Sequence, residues 1–408
     1  MSCHCDCSSK AFAPIQPEVW SLDPKVTFLN HGSFGSCPKP ILERQQQLRA
    51  ELERQPVAFL VGRLTPLLDE SRNILSDLIG ADPADMVFVH NATVGVNSVL
   101  RSLEFKPGDE ILCTVHDYNA CRNVARYVAQ RSGAKIVEVN VPLPVACRQQ
   151  VVDAVLAKVT PRTRLAMLDH ITSPTALVFP IEDLVRELNQ RGVDTLVDGA
   201  HTAGMLPLDL NTLGAAYYTG NCHKWLCTPK GAGFLWVRRD RQEGIQPATI
   251  SHGYNKPRRG YSPFQDGFDW PGTWDPTPWI CVGDSIQFIS KLLPGGLPAL
   301  MKRNHDLAML GRKILCERLG LTPIGNEEML GSMAAVILPD EIGRRHSMGQ
   351  MAGDANNGLH DQLLAEFNIE VPVMCWPAPP QMVLRFSAQA YNYPAQYERL
   401  ADAVSRLK

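Results

Sequence analysis

The segment Asp198-Gly-Ala-His201-Thr-Ala-Gly204, followed by Tyr218-Thr-Gly-Asn221-Cys-His223-Lys224-Trp-Leu-Cys-Thr-Pro-Lys230-Gly-Ala-Gly233, joins the end of an apolar run to a lysine set among small and apolar residues. The run Val193 to Val197, with Asp194 inside it, reads as a strand that stops at Asp198. Lys224 lies between His223 and Trp225, not in a charged cluster, and a glycine-rich turn follows it. A lysine amine in such a place can condense with an aldehyde, and a buried carboxylate can hold a pyridine nitrogen protonated. Pyridoxal phosphate (PLP) requires these two protein groups. Taken singly, each residue is more often a plain strand-end acid or a surface lysine. Their pairing in one glycine-rich segment favours the chemical reading.

Upstream, strand-like runs alternate with helical periodicity, and a cluster of polar residues follows each run. Val26 to Leu29 leads into Asn30-His31-Gly-Ser-Phe-Gly35, read as a tight loop. Leu64, Leu67, Leu68, Leu75, Leu78 and Ile79 mark a helix over Arg63 to Ile79, closed by Gly80. Met86 to His90 feeds Asn91-Ala92-Thr93, a strand-to-helix junction whose free backbone N–H groups suit a phosphate. Glu110 to Thr114 ends near His116 and Tyr118, and Leu165 to Asp169 ends near His170 and Ser173. An aromatic ring at a strand end can stack on a flat cofactor. Strand then helix, repeated, predicts a doubly wound α/β fold with ligands beyond the carboxyl ends of the strands.

The balance of the chain is ordinary. It has 408 residues, 45% hydrophobic and 20% charged, with net charge −2. That gives no electrostatic case for nucleic acid or an anionic membrane surface. No run is long and apolar enough for a membrane helix, and no signal peptide is apparent. Twelve cysteines without framework spacing point to reduced thiols and a cytoplasmic enzyme. Cys3, His4, Cys5 and Cys7 crowd the first residues, but their spacing is not that of a structural zinc site. They are read as a disordered tail with no metal.

Asp198-Gly-Ala-His201 and Asn221-Cys-His223-Lys224-Trp resemble the class V aminotransferase group of fold-type I PLP enzymes. Asn30-His31-Gly-Ser-Phe-Gly35, His170-Ile-Thr-Ser173-Pro-Thr and Leu384-Arg385-Phe-Ser-Ala-Gln-Ala-Tyr-Asn392 narrow the likeness to the isopenicillin N epimerase-like branch, which includes cysteine lyases and desulfhydrases. The resemblance covers about Phe28 to Asn392. It implies that Lys224 bonds the cofactor and then carries the proton at the substrate Cα. It also implies that Asp198 pairs with the ring nitrogen and that His201 lies near the ring hydroxyl. Tyr118 would stack on the ring, where many class V members carry His. Ala92, Thr93, Asn221 and His223 would hold the phosphate, with Ser173 beside the cofactor. Thr273 would reach the phosphate of a neighbouring subunit, which implies a homodimer. Asn30, His31 and Arg385 would bind the amino-acid substrate.

Arg385 has its own physical argument, because a guanidinium in the apolar run Met382 to Phe386 is costly without an anion. The chain is expected to divide into an N-terminal arm (1–25), a large PLP-binding domain with a mixed sheet (26–290) and a small α+β domain (291–408). Cys375 lies too close to Arg385 for the desulfurase loop cysteine of the group and is read as a packing residue. The favoured reaction is β-elimination at a cysteine-derived substrate, or epimerisation. Transamination is an alternative. A nicotinamide-dependent oxidoreductase is disfavoured by the lack of G-x-G-x-x-G after an early strand.

Overall fold

The computed structural model describes residues 12–347 and 358–407. The cysteine-rich start, and so the reading of it as a disordered tail, lies outside them. Strand β1 (Thr27–Phe28) precedes the seven strands of the main sheet. These are β2 (Met86–Val89), β3 (Glu110–Thr114), β4 (Lys135–Val139), β5 (Thr163–Asp169), β6 (Asp194–Gly199), β7 (Tyr217–Asn221) and β8 (Gly233–Val237). Their order is β2-β8-β7-β6-β5-β3-β4, and β8 alone runs antiparallel to its neighbours.

The sheet is covered on both faces, as a mostly parallel sheet must be. Its side chains alternate between two cores. Met86, Phe88, Leu112, Ala166, Leu168 and Val197 face one of them. Val87, Val89, Ile111, Cys113, Leu165, Met167 and Leu196 face the other. The second core is completed by the helices Ala92–Ser102 and Asn119–Ser132, the first by Leu64–Ile79, Arg148–Leu156 and Ile181–Gln190. Gly80 ends the Leu64–Ile79 helix in the left-handed region, as the sequence predicts.

Toward the C-terminus come β9 (Met333–Ile337), β10 (Ile369–Glu370), β11 (Val373–Cys375) and β12 (Met382–Ser387). Strands β11, β12 and β9 form an antiparallel sheet against the helices Gly296–Leu319 and Pro394–Arg406. Strand β1 pairs in parallel with β10, placing Phe28 opposite Glu370 and tying the start of the chain to its C-terminal part. Cys375 is fully buried in β11, opposite Met382. The tight loop expected over Asn30 to Gly35 contains one helical turn, His31–Phe34. Gly35 leaves it at φ 70°, where a Cβ would collide with the His223 carbonyl. The aromatic residues between Lys256 and Trp279 serve packing. Phe264 and Phe268 are buried in the second core, Trp270 and Trp274 pack against the first, and the Tyr261 hydroxyl bonds Asp69.

Candidate active site

The parallel register sets the first feature of the site. Asp169 at the end of β5 stands opposite Asp198 near the end of β6, so two apolar strands deliver two carboxylates side by side. Asp198 is buried; its Oδ2 accepts from the Cys121 thiol at 3.1 Å and its Oδ1 from the Ala200 N–H at 3.0 Å. Burial pushes its pKa up, opposed by the Cys121 and Ala200 hydrogen bonds and then by the Lys224 ammonium. Asp169 is raised well above the usual carboxylate range by burial, then by the charges of Asp117 and Asp198.

The turn after β7 supplies the amine. The Cys222 and His223 amides both donate to Ala232 O, folding the chain back at Lys224. Lys224 Nζ lies 3.2 Å from His201 Nε2. Its pKa is lowered to about 8, by burial first and by the Arg385 guanidinium second, against the pull of Asp198 and Asp169. His201 is pushed well below its usual value by burial and then by Lys224, so it stays neutral beside the amine.

A helix N-terminus forms the next wall. At the start of Ala92–Ser102 the Ala92 amide donates to Asn221 Oδ1 at 2.8 Å and the Val94 amide to Asn91 Oδ1 at 3.0 Å. The Thr93 amide between them has no protein acceptor among the described residues, and Thr93 lines the cavity. Such an N–H at a helix N-terminus suits a phosphate. Tyr118 precedes the Asn119–Ser132 helix, with its amide directed at the Asp169 carboxylate and its side chain half-exposed at the cavity.

Arg385, on β12, comes from the other sheet. It is 2% exposed, yet its guanidinium meets only neutral oxygens: Ser173 O at 2.5 Å, Ser173 Oγ at 3.3 Å and Ser33 Oγ at 2.9 Å. Its Nε has no partner among the described residues, and its two terminal nitrogens bond only Ser173 and Ser33. Burial lowers its pKa to about 10. A buried cation without a counter-charge is an anion site.

Of the residues expected at the site, Ala92, Thr93, Tyr118, Ser173, Asp198, His201, Asn221, His223 and Lys224 line one cavity of about 430 Å³, within the usual range for small-molecule sites. Arg385 stands behind its Ser33–Ser173 wall. The structure places Asn30, His31 and Thr273 outside that lining. His31 is fully buried, bonded to the Tyr391 hydroxyl at 2.8 Å and to Lys224 O at 3.0 Å. It props the lysine turn from behind, which is why its side chain does not face the substrate space. Asn30 bonds Ser33 and Glu370, and Thr273 is exposed.

Asp169, Cys121, Ser33 and Lys230 are features the sequence reading passed over. Asp169 carried a signal, since Leu-Ala-Met-Leu-Asp169 ends an apolar run in Asp just as Thr-Leu-Val-Asp198 does. Cys121 carried none, because its role depends on a helix crossing the end of β6.

A mostly parallel sheet with an amine, a buried carboxylate and a helix N-terminus converging beyond its strand ends defines a PLP-dependent enzyme of fold type I. The aminotransferase class-V family model matches residues 37–341, and the chain belongs to that family. It is 35% identical to the isopenicillin N epimerase of Streptomyces clavuligerus, over 95% of this chain and 96% of that protein. It is 31% identical to a probable chloroplastic L-cysteine desulfhydrase of Arabidopsis thaliana, over 96% of this chain and 85% of that protein. A structure of a C-DES mutant with glycine covalently linked to the PLP cofactor superposes with TM-score 0.78 at 20% identity, over 94% of this chain and 96% of that one. Membership in this family removes the nicotinamide reading. No helix among the described residues is long and apolar enough to cross a membrane.

Proposed function

We propose that this chain is a PLP-dependent C–S lyase acting on an L-α-amino acid with a sulfur substituent at Cβ. The observation that carries the reading is the pairing of Lys224, a cavity amine whose pKa is lowered to about 8, with Arg385, a buried guanidinium that meets only serine oxygens behind the Ser33–Ser173 wall of the same cavity. The groups present fit the cofactor: Asp198 would accept from a protonated ring nitrogen, and the Thr93 amide with Asn221 and His223 would surround a phosphate. When bound, PLP supplies an aldehyde for amines and a ring that takes up electrons released at Cα.

The protein's own groups do the rest. Arg385 holds the substrate carboxylate and so fixes which bond at Cα faces the lysine. Lys224 Nζ takes the Cα proton, and an amine near pH 8 is suited to both accepting and returning it. His201, neutral, stays beside that amine without competing for the proton. Expulsion of the β-sulfur as a thiol, followed by water, yields pyruvate and ammonia. Elimination needs one proton carrier at Cα, which Lys224 provides. Epimerisation is the second reading: it needs a donor on the opposite face, and the Tyr118 phenol at the cavity is a group of that kind.

A cytoplasmic homodimer is part of the proposal. Thr273 is exposed and outside this chain's cavity, where it would serve the cavity of a second copy, and Phe34, Val61 and Tyr254 are exposed apolar residues. The test is the purified protein's visible spectrum. A yellow protein is expected, with its band absent from Lys224→Ala after dialysis. A colourless protein that fails to take up PLP overturns the proposal. Cysteine, its thioethers and its sulfoxides are then assayed: pyruvate without racemisation supports the lyase, and D-product alone supports the epimerase.

A further inference from the structure

A hydrogen-bonded chain runs behind the anion site. Arg385 Nη2 donates to Ser33 Oγ at 2.9 Å, Ser33 Oγ donates to Asn30 Oδ1 at 2.5 Å, and Asn30 Nδ2 donates to Glu370 Oε1 at 2.8 Å. The pairing of β1 with β10 makes this possible, because it brings the chain just before Asn30 alongside Glu370. On its other side Glu370 receives His360 Nε2 at 3.3 Å. The hydrogen bond from His360, joined by that from Asn30, outweighs burial and holds the Glu370 carboxyl below its usual pKa.

The chain has a direction, and Glu370 sets it. An ionised carboxylate only accepts, so Asn30 must turn its N–H₂ toward Glu370 and its carbonyl toward Ser33. The single Ser33 proton is then committed to Asn30, and the serine oxygen is left to accept from Arg385. Glu370 is separated from the Arg385 guanidinium by two neutral side chains, Ser33 and Asn30. That distance leaves the cation's charge unspent while fixing its orientation.

We infer that Glu370, acting through Asn30 and Ser33, is a positioning residue that holds the Arg385 guanidinium ready for the substrate carboxylate. The inference rests on the reading of Arg385 as the carboxylate grip. A purely structural Glu370, tying β10 to β1, would affect stability and every ligand alike. The Glu370 arrangement predicts a selective effect, confined to ligands that carry the carboxylate.

The test titrates the holoenzyme with L-alanine and with L-alaninamide, following the visible cofactor band. Glu370→Gln can present an N–H to Asn30 and reverse the chain, whereas Ser33→Ala removes the acceptor without touching β10. Both variants are expected to weaken L-alanine about tenfold more than L-alaninamide. Equal loss for both ligands, or no loss for either, overturns the inference. Arg385→Leu in the same titration separates the two layers. If it leaves the preference for alanine over alaninamide intact, the carboxylate grip itself fails. If it abolishes the preference while Glu370→Gln and Ser33→Ala retain it, only the chain fails.

Discussion

Arg72, in the Leu64–Ile79 helix, and Arg385, on β12, are each 2% exposed, and each has an Nε without a partner. Arg72 donates to Asp69 at 2.7 Å and to Asp269 at 2.6 Å. Those acids are held in turn by the Tyr261 hydroxyl and by Arg258. Arg385 has the same burial and only serine oxygens around it. Desolvating a guanidinium costs several kcal/mol in either place. At Arg72 the offset is built into the fold. At Arg385 it is left to something the fold does not contain. Burial therefore does not mark a functional cation; the charge of its partners does.

The sharpest way to break this contrast is Arg385→Leu. Transition-state stabilisation by a two-point charged contact is lost, so kcat/KM is expected to fall by about 4 kcal/mol, roughly a thousandfold. The melting temperature should hold or rise, because an uncompensated buried charge has been replaced by an apolar side chain. A variant that retains turnover but melts early would make Arg385 a second Arg72. Arg72→Met should show the opposite pattern. Asp69 loses a partner while Asp269 keeps Arg258, so the loss of stability in urea is expected near the lower end for a broken buried pair, about 3 kcal/mol. Turnover measured well below the new melting temperature should be unchanged. Ser173→Ala removes a hydroxyl at 3.3 Å from Arg385 but leaves the backbone carbonyl in place. Its expected effect on kcat/KM is about 1 kcal/mol or less.

The same contrast shows what could be read from the chain alone. Arg385 was legible because it interrupts an apolar strand with no acid beside it in sequence. Arg72 was not legible as a paired core residue, since its acid Asp269 is remote in sequence and becomes a neighbour only when two helices pack. The doubly wound sheet was legible because strand and helix periods alternate and each strand ends in a polar cluster. The short turn at His31–Phe34 was masked by its glycines. The reach from Asn30 to Glu370 is set by a two-residue parallel pairing that no local pattern announces. His31 was placed near substrate by motif alone, and its burial under the lysine turn depends on Tyr391, at the other end of the chain.

The smallest expected effect tests whether Arg385 acts on the site as a charge even when no substrate is present. The Arg385 guanidinium is the second cause, after burial, of the lowered Lys224 pKa. Capture of free PLP by the apo-protein requires the neutral amine, so its rate should rise as pH passes upward through about 8 and level off above it. Arg385→Leu removes a repelling cation and stabilises the ammonium form, which moves the midpoint upward. At pH 7.5 the variant should therefore take up PLP more slowly than the wild type, although it has lost no cofactor contact. Arg72→Met is the control, since its guanidinium is neutralised by two acids and is not among the causes acting on Lys224. Stopped-flow absorbance across pH reads all three proteins on the same cofactor, so its own titration cancels. An unmoved midpoint in Arg385→Leu, or an equal shift in both variants, would mean that the Arg385 charge is screened from the lysine. The difference between the two arginines would then lie in hydrogen-bond geometry and not in uncompensated charge.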